Sequence, residues 1–388
     1  MRRVSVLGAT GSIGRNTLDV IRTLGGRRAF RVVALTGAGN VEALAASALE
    51  FAAEIAVTAD PARLDDLREA LAGSGVEAAA GPAALVEAAS RPADWVMAAI
   101  VGSAGLAPTL AAAGTGATIA LANKECLVSA GGLFLSTARA AGARVIPVDS
   151  EHSAIFQCLD ANAGVAPVRF ILTASGGPFR DWPLEKMRDV TPKAAAAHPN
   201  WDMGLKISID SASMFNKALE MIEARWLFGA TAETLEVVVH PQSVIHSAVA
   251  YADGSMLAQL GAPDMRTAIG YALTFPERSE LPVAPLDLVA LGRLDFSAPD
   301  ETRFPALRLA RAAMDRSELA GAALNAAKEA ALGAFIAGRI GFLDMARVVE
   351  IVLDRLATGE PARDLEDVFA MDREARRLAE AEMAESAA

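Results

Sequence analysis

Short β-branched runs alternate with Ala-rich amphipathic stretches through the first 150 residues. Val4-Ser5-Val6-Leu7 and the segments 31–35, 55–58, 94–100, 118–121 and 144–148 have the apolar pattern of strands, and 13–24 and 41–51 that of helices. Repetition of strand, helix, strand predicts an α/β domain over 1–149, built on a doubly wound, Rossmann-like parallel sheet. Beyond it, apolar runs at 168–173, 235–239 and 244–251 lack the regular helical spacers, so 150–285 is expected to be an α+β domain. The Pro-bearing stretch 286–309 is expected to be a linker. From 310 to 388 the chain is Ala-rich, and Met345, Val348, Val349, Val352 and Leu356 share one helical face, which predicts a C-terminal helical bundle.

Composition narrows the class. With 53% hydrophobic and 21% charged residues in 388, the chain can bury sizeable cores. It carries 36 basic and 47 acidic residues, a net charge of -11, and no Lys/Arg run exceeds two, so nucleic acid is not an expected partner. Cys126 and Cys158 are too few for a disulfide framework, which suits a reducing, cytoplasmic setting. The apolar run 95–101 is followed by Gly102, Gly105 and Pro108, so no membrane helix is expected.

Gly8-Ala9-Thr10-Gly11-Ser12-Ile13-Gly14 follows the first strand and opens the first helix. Glycines there allow a tight turn and close backbone approach, and the helix start offers N–H groups to a pyrophosphate. The second strand ends in Leu35-Thr36-Gly37-Ala38-Gly39-Asn40 without the acid that holds an NAD ribose. NADP is therefore preferred, although no Arg or Lys in that segment would hold its 2′-phosphate.

Asp149 and Glu151 close the strand 144–148, and in an extended chain residues two apart point the same way. Asn216, Lys217 and Glu220 share one face of a helix read across 210–223. Three carboxylates with no paired histidine or cysteine make a hard oxygen site, favouring Mg²⁺ or Mn²⁺ over zinc. The alternatives are a solvated strand end and a surface ion pair. Ser175-Gly176-Gly177-Pro178, and Ser211, Asn216 and Lys217 at a helix start, offer donors for phosphate. Lys124, after the strand 118–121, is a candidate electrostatic stabiliser or proton donor. His198-Pro199-Asn200-Trp201 lies in a loop near 197–206 that suits a lid. His152, His240 and His246 read equally well as structural.

These stretches, with Ala99 to Gly102, Pro147 to His152, His240 to His246 and Pro263-Asp264-Met265-Arg266, run in one order along the chain. Together they resemble the 1-deoxy-D-xylulose 5-phosphate reductoisomerase family. The resemblance implies a homodimer that rearranges a phosphorylated ketose and reduces it with NADPH to 2-C-methyl-D-erythritol 4-phosphate, for isoprenoid biosynthesis. It implies Asp149, Glu151 and Glu220 as ligands of Mg²⁺ or Mn²⁺, with Co²⁺ also possible. Lys124, Ser150, Glu151, Ser175, His198, Trp201, Ser211, Asn216, Lys217 and Glu220 would meet the substrate. Lys124, Glu151 and His198 would be catalytic, Glu151 also moving protons. Thr10, Gly11, Ser12, Ile13, Ala38, Gly39, Asn40, Asn123, Glu125 and Gly204 would line NADPH. The implied chemistry is retro-aldol cleavage and re-addition, then hydride transfer. Gly39 departs from the family's basic residue before Asn40, which predicts weakened discrimination against NADH. Cys126 and Lys328 also depart, and read as peripheral. The rival readings are a metal-independent NADP dehydrogenase and a non-catalytic dinucleotide sensor.

Overall fold

Buried apolar positions on both faces of consecutive strands call for helices above and below one sheet, and the N-terminal half follows that rule. The computed structural model describes residues 1–159, 165–197, 201, 204–356, 359 and 361–387. In order come β1 (Arg2–Leu7), α1 (Ser12–Thr23), β2 (Phe30–Gly37), α2 (Val41–Phe51), β3 (Ile55–Thr58), α3 (Leu64–Ala70) and β4 (Glu77–Ala80). Then follow α4 (Pro82–Ser90), β5 (Trp95–Ala98), α5 (Leu106–Ala113), β6 (Thr118–Leu121), α6 (Glu125–Ala141), β7 (Val145–Pro147) and α7 (Ser150–Cys158). The strands form one sheet in the order β4-β3-β2-β1-β5-β6-β7, parallel throughout. Its order reverses at β1, the point where open α/β sheets bind ligands beyond the strands' carboxyl ends.

The chain divides into two compact units. Unit one comprises 1–126, 134–153 and 264–284; unit two comprises 127–133, 154–263 and 285–388. The segment 264–284, expected to close the middle domain, therefore belongs with the parallel sheet. There α12 (Met265–Thr274) packs on α1. Trp95, fully buried, donates its indole N–H to the Ala272 carbonyl at 3.0 Å, and Arg266 reaches Asp19 at 3.1 Å.

Unit two holds β8 (Arg169–Ala174), the short helices α8 (Leu184–Met187) and α9 (Pro192–Ala195), α10 (Leu205–Ala212), α11 (Phe215–Phe228), β9 (Leu235–Val239), β10 (Ile245–Ala250) and β11 (Met256–Leu260). Its mixed sheet runs β11-β10-β8-β9, with only β8 and β9 parallel. Phe170 and Leu172 point from β8 into a core shared with Met221 and Ile222 of α11. That core continues into α14 (Ala306–Arg316), α15 (Glu318–Ile336) and α16 (Asp344–Arg355), and takes in Ala375, Ala379 and Met383 of α17 (Leu365–Ala387). The C-terminal bundle is thus confirmed. The stretch expected to be a linker is tied down instead. It contains α13 (Leu288–Leu291), Ser297 bridges Val239, and Gln242 donates to Asp295 at 2.6 Å. Among the described residues, no helix is long and apolar enough to cross a membrane.

Candidate active site

In unit one the glycine turn is closed by backbone bonds. Gly8 N–H donates to the Thr36 hydroxyl at 2.9 Å, Ala9 N–H to the Thr36 carbonyl at 2.7 Å, and Gly11 N–H to the Gly8 carbonyl at 3.1 Å. Gly8 has φ +91°, and a Cβ there would stand 2.6 Å from the Ala99 carbonyl oxygen. A Cβ on Gly14 would collide with the backbone of Gly8 and Ala9. Both glycines are therefore required by close approach as much as by conformation. Helix α1 starts at Ser12 behind Gly11, with no side-chain cap and no acid in its first turn. Its leading N–H groups suit an anion. Thr10 is half-buried, Gly11 and Ser12 are exposed, and Ile13 is half-buried beside them.

The segment after β2 is exposed at Ala38, Gly39 and Asn40. Asn40 caps α2, its side-chain oxygen accepting from Ala43 N–H at 3.0 Å. Asn123, buried, is committed to structure: its amide donates to the Ile100 and Gly102 carbonyls, and its oxygen accepts from Cys126 N–H at 2.9 Å at the head of α6. Glu125 is the first residue of that helix.

Strands β6 and β7 are paired, Leu121 against Pro147, so the loops at their carboxyl ends lie side by side. That register brings Lys124 to Asp149, Nζ to Oδ2 at 3.2 Å, with both side chains only about one-seventh exposed (16% and 14%). The extended geometry expected for Asp149 and Glu151 does not occur. The strand stops at Pro147, and Asp149 instead caps α7, accepting from the N–H groups of Glu151 at 3.1 Å and His152 at 3.4 Å. Carboxylate oxygens of Asp149 and Glu151 nevertheless lie within 4.8 Å of one another. Two oxygens each about 2.1 Å from one Mg²⁺ can be separated by nearly that much, so the pair fits a divalent ion. Ser150 donates its hydroxyl to Glu151 at 2.5 Å. His152 is fully buried with Nδ1 3.0 Å from Asp149 Oδ1, where it orients that carboxylate. Its place three residues after Asp149 was the available signal.

Unit two corrects the helix read across 210–223. Helix α10 ends at Ala212, Met214 turns into the left-handed region at φ +64°, and α11 starts at Phe215. Ser211 is thus in the last turn of one helix, while Asn216 and Lys217 open the next. Their predicted common face with Glu220 holds: Asn216 donates to Glu220 Oε1 at 2.5 Å, and Lys217 pairs with Oε2. Lys217 and Glu220 are 4% and 0% exposed, so a surface ion pair is excluded. Asn216 is half-buried, and Glu223 is buried one turn further on.

The loop after β8 meets the end of α10. Gly176 and Gly177 have φ +79° and +68°, and a Cβ on Gly177 would stand 2.9 Å from Ala212 Cα and 3.2 Å from the Ser211 carbonyl oxygen. Ser175 accepts from Gly177 N–H at 3.1 Å, so its hydroxyl is tied to the glycine that packs against the Ser211 carbonyl. Lys328 is not peripheral: it is buried, 2.9 Å from Asp210, the neighbour of Ser211. Trp201 lies against His246, ring centroids 6.0 Å apart, and Gly204 precedes α10. His198 lies outside the described residues.

Sheet order, glycine turn and the lysine–carboxylate edge put unit one in the class of dinucleotide-binding oxidoreductases. Within that class the comparisons are specific. Residues 4–131 match the description "1-deoxy-D-xylulose 5-phosphate reductoisomerase", 145–228 that enzyme's C-terminal domain, and 260–378 "DXP reductoisomerase C-terminal domain". The 1-deoxy-D-xylulose 5-phosphate reductoisomerases of Agrobacterium fabrum and Sinorhizobium medicae are 63% and 64% identical over 378 residues, covering 97% of this chain and 95% and 97% of theirs. The chain belongs to the 1-deoxy-D-xylulose 5-phosphate reductoisomerase family. The Zymomonas mobilis enzyme in complex with NADPH superposes with TM-score 0.93 at 54% identity, covering 98% of this chain and 99% of that one. A DOX-P reductoisomerase in complex with NADPH, fosmidomycin and magnesium gives 0.93 at 45%, covering 99% and 98%.

Proposed function

We propose that this chain converts 1-deoxy-D-xylulose 5-phosphate to 2-C-methyl-D-erythritol 4-phosphate with NADPH and a divalent cation, Mg²⁺ or Mn²⁺ (or Co²⁺). The observation that carries this reading is the Lys124–Asp149–Glu151 group at the carboxyl edge of the dinucleotide-binding sheet, with Asp149 and Glu151 oxygens within 4.8 Å. Asp149, Glu151 and Glu220 would hold the cation, and Thr10 to Ile13, 38–40, Asn123, Glu125 and Gly204 would line NADPH. When bound, the ion supplies a Lewis acid for the substrate ketone, and the nicotinamide supplies a hydride.

The chain's own residues do the rest. Lys124 holds its ammonium beside the oxygen on which charge develops. Glu151 takes the proton of the hydroxyl on the carbon β to the ketone, so that the α–β bond can cleave, and returns it to that oxygen after the two fragments have rejoined. Ser150 hydrogen-bonds Glu151 and steadies it for that exchange. Ser175, Ser211, Asn216 and Lys217 grip the phosphate, lending remote binding energy to orientation of the reacting carbons. His198 and Trp201 would meet the substrate. NADPH oxidation dependent on 1-deoxy-D-xylulose 5-phosphate should vanish in EDTA and return with added Mg²⁺ or Mn²⁺. Turnover that survives chelation would instead support the metal-independent dehydrogenase.

The work is divided between unit one (1–126, 134–153 and 264–284), which binds NADPH, and unit two, which carries the phosphate-gripping residues and the C-terminal helical domain (310–388), in the cytoplasm. The active form is a homodimer. Supporting this, β11 is an edge strand that exposes Met256, Leu257 and Leu260, a template for another chain unless covered. Light scattering should give twice the chain's 40.2 kDa, and Leu257→Lys should halve it. A monomer at micromolar concentration would refute the dimer.

A further inference from the structure

Nothing in the segment 38–40 carries charge, and the space beside Gly39 is open, with no heavy atom within 4 Å of where a Cβ would be. A cation reaches that segment from elsewhere. Strands β2 and β3 are paired in parallel, Gly37 against Thr58, so the loops at their carboxyl ends are neighbours. The Thr58 hydroxyl donates to the Ala38 carbonyl at 2.6 Å, and Asp60 caps the 3-10 turn Pro61–Arg63 by accepting from Ala62 N–H at 2.9 Å. These bonds anchor the base of Arg63. Its guanidinium then donates from Nη1 to the Gly39 carbonyl at 2.9 Å, from Nη2 to Glu42 at 3.0 Å and from Nε to Asp66 at 2.5 Å.

We propose that Arg63 is the specificity-determining cation for the 2′-phosphate of NADPH, standing in for the basic side chain that position 39 lacks. The inference rests on the NADPH reading above and names the residue that makes it selective. A guanidinium presents paired N–H donors suited to phosphate oxygens, and a phosphate dianion outcompetes a solvated carboxylate for them. Glu42 is 78% exposed and Asp66 57%, so their hold on Arg63 is screened and readily exchanged. Holding the Gly39 carbonyl, Arg63 is already aimed at the segment where the ribose lies. Glu42, left beside the dianion, opposes binding and sets a ceiling on affinity.

Fluorescence titration of the full-length protein with NADPH and with NADH, without substrate, tests this. Arg63→Met should raise the NADPH Kd roughly tenfold to a hundredfold and leave the NADH Kd within about twofold. Arg63→Lys should fall between the two, Glu42→Gln should tighten NADPH alone, and Gly39→Arg added to Arg63→Met should restore affinity. An unchanged NADH Kd also certifies that the variant is folded. Equal weakening for both dinucleotides, or no change for either, overturns the role of Arg63 while leaving NADPH as the cofactor. Failure of the native chain to bind NADPH at all refutes the cofactor reading itself.

Discussion

Glu220→Gln lowers turnover by roughly a thousandfold or more while NADPH binding stays intact. A Lewis acid at a reacting carbonyl is worth several kcal/mol, and each ~1.4 kcal/mol is a factor of ten. Losing one of the three carboxylates proposed to hold the cation removes much of that effect at ordinary Mg²⁺ concentrations. The same change also leaves Lys217, only 4% exposed, beside a neutral amide. Breaking a buried pair from one side costs about 3–5 kcal/mol, so the melting temperature should fall as well. Lys217→Met combined with Glu220→Leu separates the two effects. An apolar pair of similar volume should recover stability without recovering turnover. Activity within tenfold of the parent in Glu220→Gln would remove that residue from the cation site.

Gly14→Ala acts through shape. Its new methyl would overlap the Gly8 carbonyl and the Ala9 backbone, neither of which can rotate aside as a flexible side chain could. Overpacking of this kind costs about 1–3 kcal/mol and displaces the turn that the Thr36 bonds hold. NADPH affinity should drop by more than tenfold, with a melting point lower by several degrees. Gly39→Ala, with nothing within 4 Å of its Cβ, should leave stability unchanged. Titration and thermal unfolding of both variants check this, and a Gly14→Ala protein that binds NADPH normally would show that the turn is not the pyrophosphate cradle.

How much of this was legible depends on whether a local pattern decided the outcome. The segments 41–51, 55–58, 118–121 and 235–239 were read with the bounds that α2, β3, β6 and β9 have, because apolar runs and flanking polar residues suffice there. Strand β4 is Glu77-Ala78-Ala79-Ala80; alanine carries no strand signal, and only pairing with β3 selects the extended form. The break at Met214 was hidden because neither glycine nor proline marks it. Glu220 with Asn216 and Lys217 was visible from helical spacing, whereas Asp149 and Glu151 were paired for the wrong local reason. Arg63 could not be found from sequence, since it reaches Gly39 only through the β2–β3 pairing.

Unit one is also discontinuous in time as the chain is made. Its own strand β5 and helix α1 wait for 264–284, which supplies the acceptor for Trp95 and a second cation, after Arg22, for Asp19. A ribosome adding about 5–20 residues per second needs roughly 6–20 s to get from Ser153 to Asp264. Throughout that interval a nearly finished parallel sheet carries an unsealed apolar flank, so nascent-chain chaperones should hold it longest at that stage.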